Sequence, residues 1–286
     1  MKKIIALLLV LLMVGAVLAA CGKTADKPAA TDAVATQAAT ADSATADSAA
    51  TVADLEKVQK AGKLIVGITD FEPMDYKDEN GEWIGFDADL ARAFAEYLGV
   101  EVEFQEIDWD NKVLELNGMS IDCVWNGMTL TDEVLAAMAC SQPYMNNAQV
   151  VVPPMSRIPE FATIEDLSKL VFAVEAGSAG EAEISALGYQ ANAVQNQAAA
   201  LMEVKAGTSD AAVIDALMAA AMIGEGTSYE DLGYTLPLNS EVYGVGFRTG
   251  SDLAAELDAF LAAAAEEGAL QQLAEAYGVQ AALIAE

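Results

Sequence analysis

The chain contains no histidine, and that absence removes Ser-His-Asp and Cys-His nucleophilic catalysis, imidazole general bases and histidine-based zinc sites together. Any chemistry would have to rest on carboxylates, Lys, Tyr or Cys. Cysteine is nearly as scarce, with Cys21, Cys123 and Cys140 the whole complement. That is too few for a disulfide framework or a cysteine-rich metal site, and neither a metal nor another cofactor is expected. Cys123 and Cys140 either pair outside the cell or remain free thiols. Basic side chains number 14 against 44 acidic ones, a formal net charge of −30. Binding a phosphate backbone needs Lys and Arg to displace counterions, so nucleic acid is excluded as a partner. The surplus of acid describes a solvated, self-repelling surface. Beyond residue 20 no apolar run approaches the ~18 residues of a membrane span, and the 54% apolar content owes much to alanine.

The N-terminus is organised differently from the rest. Met1-Lys2-Lys3, the apolar run Ile4 to Val14 and the small residues that follow read as a signal peptide over 1–20. Leu18-Ala19-Ala20-Cys21-Gly22 resembles the lipobox of bacterial lipoproteins, which would leave a diacylated Cys21 as the mature N-terminus and membrane anchor. Residues 21–53 carry almost only Ala, Thr, Ser and Asp, with no aromatic residue, Leu or Ile after the cysteine. They have little to bury and read as a tether.

From Asp54 the pattern is that of a folded α/β protein. Leu55 to Ala61 predicts a short helix ended by Gly62, and Lys63 to Ile68 a buried strand. A loop with Phe71 and Pro73 follows, then a turn at Asp78 to Gly81. Leu90, Phe94 and Leu98 at helical spacing, stopped by Gly99, precede a strand from Val100 to Phe104. Ile121 to Trp125 reads as a strand that ends in a polar loop at Asn126-Gly127. Thr131 ahead of Asp132-Glu133 reads as a helix N-cap. This alternation implies mostly parallel sheets with helical crossovers. Near the C-terminus, Leu257, Phe260, Leu261, Ala264, Leu270, Leu273 and Tyr277 predict two core-facing helices broken at Gly268. Arg92 and Arg248 fall in segments that read as surface.

GKLIVGITDFEPMDY at 62–76, GFDADLARAFAEYLGV at 85–100, IDWD at 107–110, the stretch 121–144, EAGS at 175–178, SDAAVID at 209–215 and YGVGFR at 243–248 share their order and spacing with a known family. The chain resembles the family 3 extracellular solute-binding proteins, the polar amino-acid receptors of ABC importers. The resemblance implies a two-lobed type II periplasmic-binding-protein fold, α/β in both lobes, with the ligand in the cleft between them. Lobe 1 would be 54–146 plus 240–286 and lobe 2 would be 147–239, with Gln149 to Val152 as its entering strand. It also implies a monomer that delivers a small molecule to a permease and is not an enzyme. Carried over by position, Phe71 and Trp109 would sandwich the ligand. Asn126, Gly127 and Thr129 would donate hydrogen bonds from a loop, and Gly177-Ser178 would meet a carboxylate at a helix start. Asp215 would receive an α-ammonium group, and Glu175 would contact the ligand side chain.

One position departs from the family. The arginine that grips the ligand α-carboxylate with two bonds is replaced here by Val134, and lysine cannot copy that fork. Two readings follow. Either the ligand is an amino acid whose carboxylate is met by Thr129, Thr131, backbone N–H groups and Lys112 or Arg157, or it is a cation lacking that carboxylate, favoured by Asp215, Glu175 and Asp70. Rival classes are an enzyme using cleft carboxylates for dehydration and a sensory surface module on the same fold.

Overall fold

The computed structural model describes residues 53–284. The signal peptide, Cys21 and the tether up to residue 52 lie outside the described residues. Helix α1 (Asp54–Ala61) passes into strand β1 (Lys63–Ile68) at Gly62, whose N–H returns to the carbonyls of Val58 and Gln59. The turn at Asp78 closes a short hairpin, β2 (Tyr76–Lys77) with β3 (Trp83–Ile84), because the Asp78 carboxylate accepts from the N–H groups of Asn80 and Glu82. Helix α2 (Phe86–Leu98) stops at Gly99 and is followed by β4 (Glu101–Glu106). Next come α3 (Lys112–Asn117), β5 (Cys123–Thr129), α4 (Asp132–Ala137), β6 (Ala139–Cys140) and β7 (Met145–Asn147).

Those strands form a sheet in the order β4-β1-β5, completed on the far side by the late strand β12 (Glu241–Phe247), against which β6 and β7 also pair. The pairs β4-β1 and β1-β5 are parallel, and β12 runs antiparallel to β5. A second sheet has the order β10-β9-β11-β8, built from β8 (Gln149–Val152), β9 (Val171–Glu175), β10 (Gln190–Val194) and β11 (Ala211–Asp215). Its crossovers are α5 (Ala179–Ala186) and α6 (Gln197–Ala206), and α7 (Ala216–Met222) leaves β11. Two sheets, each with its own helices, make the two lobes. The chain passes between them at Asn147–Gln149 and again where Leu238 N–H bonds to the Gln149 carbonyl, just before β12.

The core of the first lobe centres on Phe86, Phe94, Trp125, Tyr243 and Phe247. Helices α8 (Leu253–Glu266) and α9 (Ala269–Tyr277) return to it, burying Leu257, Phe260, Leu261, Ala264 and Leu270, while Leu273 and Tyr277 are partly covered. Phe260 meets Phe94 with ring centroids 5.5 Å apart. The second lobe has its own cluster of Phe161, Leu167, Phe172, Ile184 and Val213.

Two expectations change, and an open alternative closes. The strand that reads as ending at Trp125 continues to Thr129, because β12 supplies a partner for the polar residues as well: Tyr243 pairs with Thr129 and Gly244 with Met128. Arg248 is buried, held by Asp54 at 3.0 Å and Asp122 at 3.1 Å and by the carbonyls of Leu116 and Ile121. A guanidinium with that many acceptors can be buried. Cys123 and Cys140 are free; they lie on the strands flanking β12, two strand spacings or ~9 to 10 Å apart, beyond disulfide reach.

Candidate functional site

A cavity of about 450 Å³ lies between the two lobes. Phe71, Trp109, Asn126, Gly127, Thr129 and Thr131 line it from one side, and Glu175, Gly177, Ser178 and Asp215 from the other. Of the residues singled out from the sequence, Asp70 and Arg157 stay outside. Asp70 is exposed in the loop after β1, where partial burial and the neighbouring Glu106 raise its pKa.

Phe71 is positioned by a tight backbone bridge to Asp75, with N–H···O bonds of 2.6 and 2.9 Å in the two directions. Its ring meets Tyr243 edge-on, the centroids 6.3 Å apart. Gly127 is required beneath it: at φ 54° a Cβ would fall 2.5 Å from Phe71 Cε1, and the left-handed region is costly for a branched residue. Trp109, in a short 3-10 turn at Trp109–Asn111, forms another wall, with Lys112 Nζ 4.8 Å from its ring centroid.

Most of the donors expected of the Asn126-Gly127-Thr129 stretch are already committed, one N–H of the Asn126 amide excepted. Asn126 accepts the Thr69 N–H at 2.9 Å and donates to the Thr69 hydroxyl at 2.7 Å. Gly127 N–H donates to Asp87 at 2.6 Å, and the Thr129 hydroxyl donates to Glu241 at 2.9 Å. The same holds across the cleft, where Gly177 N–H donates to the Glu181 carboxylate at 2.7 Å. Ser178 caps α5 by accepting the Glu181 N–H at 3.1 Å, and Thr131 caps α4 by accepting the Val134 N–H at 3.2 Å. The family resemblance offers these groups to a ligand; in the structure they first complete the fold, Thr131 as the N-cap that its sequence context predicts.

Acceptors are what the cavity has in excess. Asp215, at the end of β11, receives bonds from Asn147, Gln197 and Tyr243, all neutral donors. Burial, reinforced by the nearby Glu241, pushes its pKa up to about 7. Glu175, at the end of β9, is driven by burial and by Asp215 to about 8, with Gln197 and Lys112 pulling it back. Its Oε1 is buried with no hydrogen-bond partner among the described residues. A buried, unpaired acceptor costs free energy until a donor arrives.

Lys112 is the one basic side chain among the lining residues. It is buried and reaches across the cleft, donating to the Gly177 carbonyl at 2.8 Å and to the Trp109 carbonyl at 3.2 Å. Desolvation lowers its pKa against the pull of Glu175 and Glu133. Arg157 is not in the cavity wall; it pairs with Asp210 at 3.0 Å and Glu160 at 3.1 Å. Val134 does line the cavity, packed in an apolar cluster with Trp109, Met128 and Met138.

Gln197, Glu181 and Asp110 also line the cavity and were missed in the sequence. Gln197 had a usable signal, since it opens α6 directly after the N-cap Asn196, at the same end of the sheet as Glu175 and Asp215. Asp110 owes its place to Gly177: a Cβ there would lie 2.8 Å from Asp110 Cα.

Comparison with known proteins agrees with this architecture. The family model for bacterial extracellular solute-binding proteins, family 3, matches residues 64–280. The arginine-binding extracellular protein ArtP of Bacillus subtilis (strain 168) is 29% identical over 220 residues, 74% of this chain and 84% of ArtP. A mutant of ArgBP from T. maritima superposes with a TM-score of 0.73 at 32% identity, covering 78% of this chain and 98% of that one. At greater distance, the cyclohexadienyl dehydratase of Pseudomonas aeruginosa is 27% identical over 116 residues, 40% of this chain and 43% of the enzyme.

Proposed function

This chain belongs to family 3 of the bacterial extracellular solute-binding proteins, and from that premise we propose that it captures a cationic amino acid between its lobes for an ABC importer. The lobes are those divided at residues 146/147 and 239/240, the protein works as a monomer, and a lipid on Cys21 holds it at the outer face of the membrane. The observation that carries the ligand class is Glu175: a buried carboxylate oxygen with no partner among the described residues, in the wall of a cavity that also holds Asp215 and, among the described residues, a single lysine. In this reading Asp215 takes the α-ammonium group and Glu175 the basic side chain, whose stem lies between Phe71 and Trp109. The Thr131 hydroxyl and the remaining Lys112 proton meet the α-carboxylate. The relative ArtP is named for arginine, in keeping with that class.

A second reading, an amine with no α-carboxylate, is favoured by Val134 and by Glu181, which occupies the Gly177 N–H. Binding is preferred to catalysis because Glu175 and Asp215 are both displaced upward, whereas acid–base catalysis uses a pair pushed apart. The test begins by unfolding and refolding the protein to strip any ligand carried through purification. Melting temperature is then read against each proteinogenic amino acid, agmatine and simple diamines, since a ligand that binds the native state raises apparent stability. Arginine or lysine should give the largest shift. A shift with agmatine and none with any amino acid selects the second reading, and turnover of a cyclohexadienyl acid by the purified protein would replace both.

A further inference from the structure

Glu241 stands at the second passage between the lobes and does not line the cavity. Its Oε1 accepts the Thr129 hydroxyl at 2.9 Å, Asn147 Nδ2 at 2.6 Å and Gln149 Nε2 at 2.9 Å, and its Oε2 accepts Asn239 Nδ2 at 2.9 Å. These donors come from the ligand-facing strand of the first lobe and from both interlobe passages. The same Asn147 amide donates to Asp215, and its orientation is set because Asn147 Oδ1 accepts the Leu217 N–H at 3.3 Å.

The consequence lies in which way hydrogens point. A hydroxyl has one proton to donate and lone pairs to accept with. With its proton given to Glu241, Thr129 can show a ligand only lone pairs. Asp215 has bonds from Asn147, Tyr243 and Gln197, the Gln149 amide that is bonded to Glu241 also favours its charged form, and it still lines the cavity. We propose that Glu241 is the residue that sets the polarity of the cavity: by drawing in the hydrogens of Thr129, Asn147 and Gln149 it leaves an acceptor-only pocket beside Asp215, which selects an ammonium group and rejects a carboxylate. Glu241 is thus a positioning residue acting through Thr129 and Asn147. The proposal rests on the reading that Asp215 holds the α-ammonium group, and it adds how that end of the site comes to have its preference.

The discriminating variant is Glu241→Gln, which replaces one acceptor oxygen by an NH2 group that must itself donate, so that one neighbouring donor has to turn away. Calorimetric titration would compare arginine with 5-guanidinopentanoic acid, the same molecule without the ammonium group. Arginine affinity should fall roughly ten- to hundredfold, the range for a lost bond to a charged group, with the des-amino acid unchanged. An equal loss for both ligands, or no loss for arginine, overturns the proposal. Should the variant fail to fold, Thr129→Val removes the oriented hydroxyl and is expected to show the same split.

A second measurement needs no ligand. The charged or titratable groups at Asp215 are Glu241, Glu175 and Tyr243. Removing the Glu241 charge should lower the Asp215 titration midpoint, read by carboxyl carbon NMR in the unliganded protein. A midpoint that moves while neither protein binds arginine supports the coupling and counts against the amino-acid reading alone. A midpoint that stays put counts against the coupling.

Discussion

Lys112 Nζ lies 2.8 Å from the carbonyl oxygen of Gly177, so the one basic side chain of the cavity wall bonds a helix of the first lobe to the turn that opens a helix of the second. The bond exists only while the lobes are together. A buried lysine with depressed pKa is thereby held in place by two carbonyls and by the face of Trp109.

Removing that lysine should separate closure from folding. Lys112→Met keeps the aliphatic stem against Trp109 and loses the bond across the cleft. Arginine affinity is expected to fall about tenfold, the loss of one charge-assisted hydrogen bond. The melting temperature of the unliganded protein should change little. Small-angle scattering in the presence of arginine checks the cause: a variant that compacts on ligand as fully as the parent protein removes Lys112 from closure.

Val134 lines the cavity one turn into α4. Val134→Arg would supply a two-pronged donor for an α-carboxylate. Arginine should then bind about tenfold more tightly and agmatine more weakly, because a positive charge now faces it. Tighter agmatine binding in this variant is the result that rules out the expected geometry.

The pH dependence follows from Glu175 and Asp215, raised to about 8 and about 7. A carboxyl whose folded pKa lies above its unfolded value stabilises the fold fully below the unfolded value, and that contribution is lost as pH rises through the folded one. The unliganded protein should therefore lose stability between about pH 5 and pH 8 on account of these two groups. A cationic ligand favours the ionised forms, so its binding should release protons near pH 7 and tighten as pH rises from 6 to 8. Glu175→Gln should flatten the upper part of both curves and weaken arginine at pH 8. Calorimetry in buffers of different ionisation enthalpy counts the protons, and zero release at pH 7 contradicts the assignment.

Arg248 carries the sharpest prediction about stability. It joins β12 to Asp54 at the start of α1 and to Asp122 before β5, all three side chains buried. Arg248→Met would leave the buried Asp54 without its ion partner and Asp122 with only the longer contact to Lys57 at 3.4 Å, a loss of about 3–5 kcal/mol by analogy with broken buried ion pairs. Urea unfolding measures it, with a matching drop in midpoint. Restoring most of the stability by adding Asp54→Asn and Asp122→Asn would identify stranded charge as the cause.

Much of the fold was legible in the residues because local signals agreed with one another. Gly62 and Gly99 each end a helix in the left-handed conformation, and Thr131 and Ser178 cap the helices they precede. Apolar periodicity marked the strands and the two C-terminal helices. The reading stopped short at Asn126 to Thr129, whose polar character suggests a loop. A distant strand pairs with them and makes them part of the sheet, a contact that no local pattern encodes. Arg248 failed for the same reason: its four partners, Asp54, Leu116, Ile121 and Asp122, are more than 120 residues away in the chain.

The amino-acid sequence by itself determined what this protein cannot use and where its site is built. Without histidine it left carboxylates, Lys, Tyr and Cys as the chemistry available, and its motif order brought almost every singled-out residue to one cavity. Tertiary structure alone decided which of those residues have hydrogens left to give. Bond direction depends on partners far apart in the chain, as when Glu241 takes the proton of Thr129 and Glu181 takes the N–H of Gly177. Burial, which exists only once the lobes are packed, then raised the proton affinity of Glu175 and Asp215.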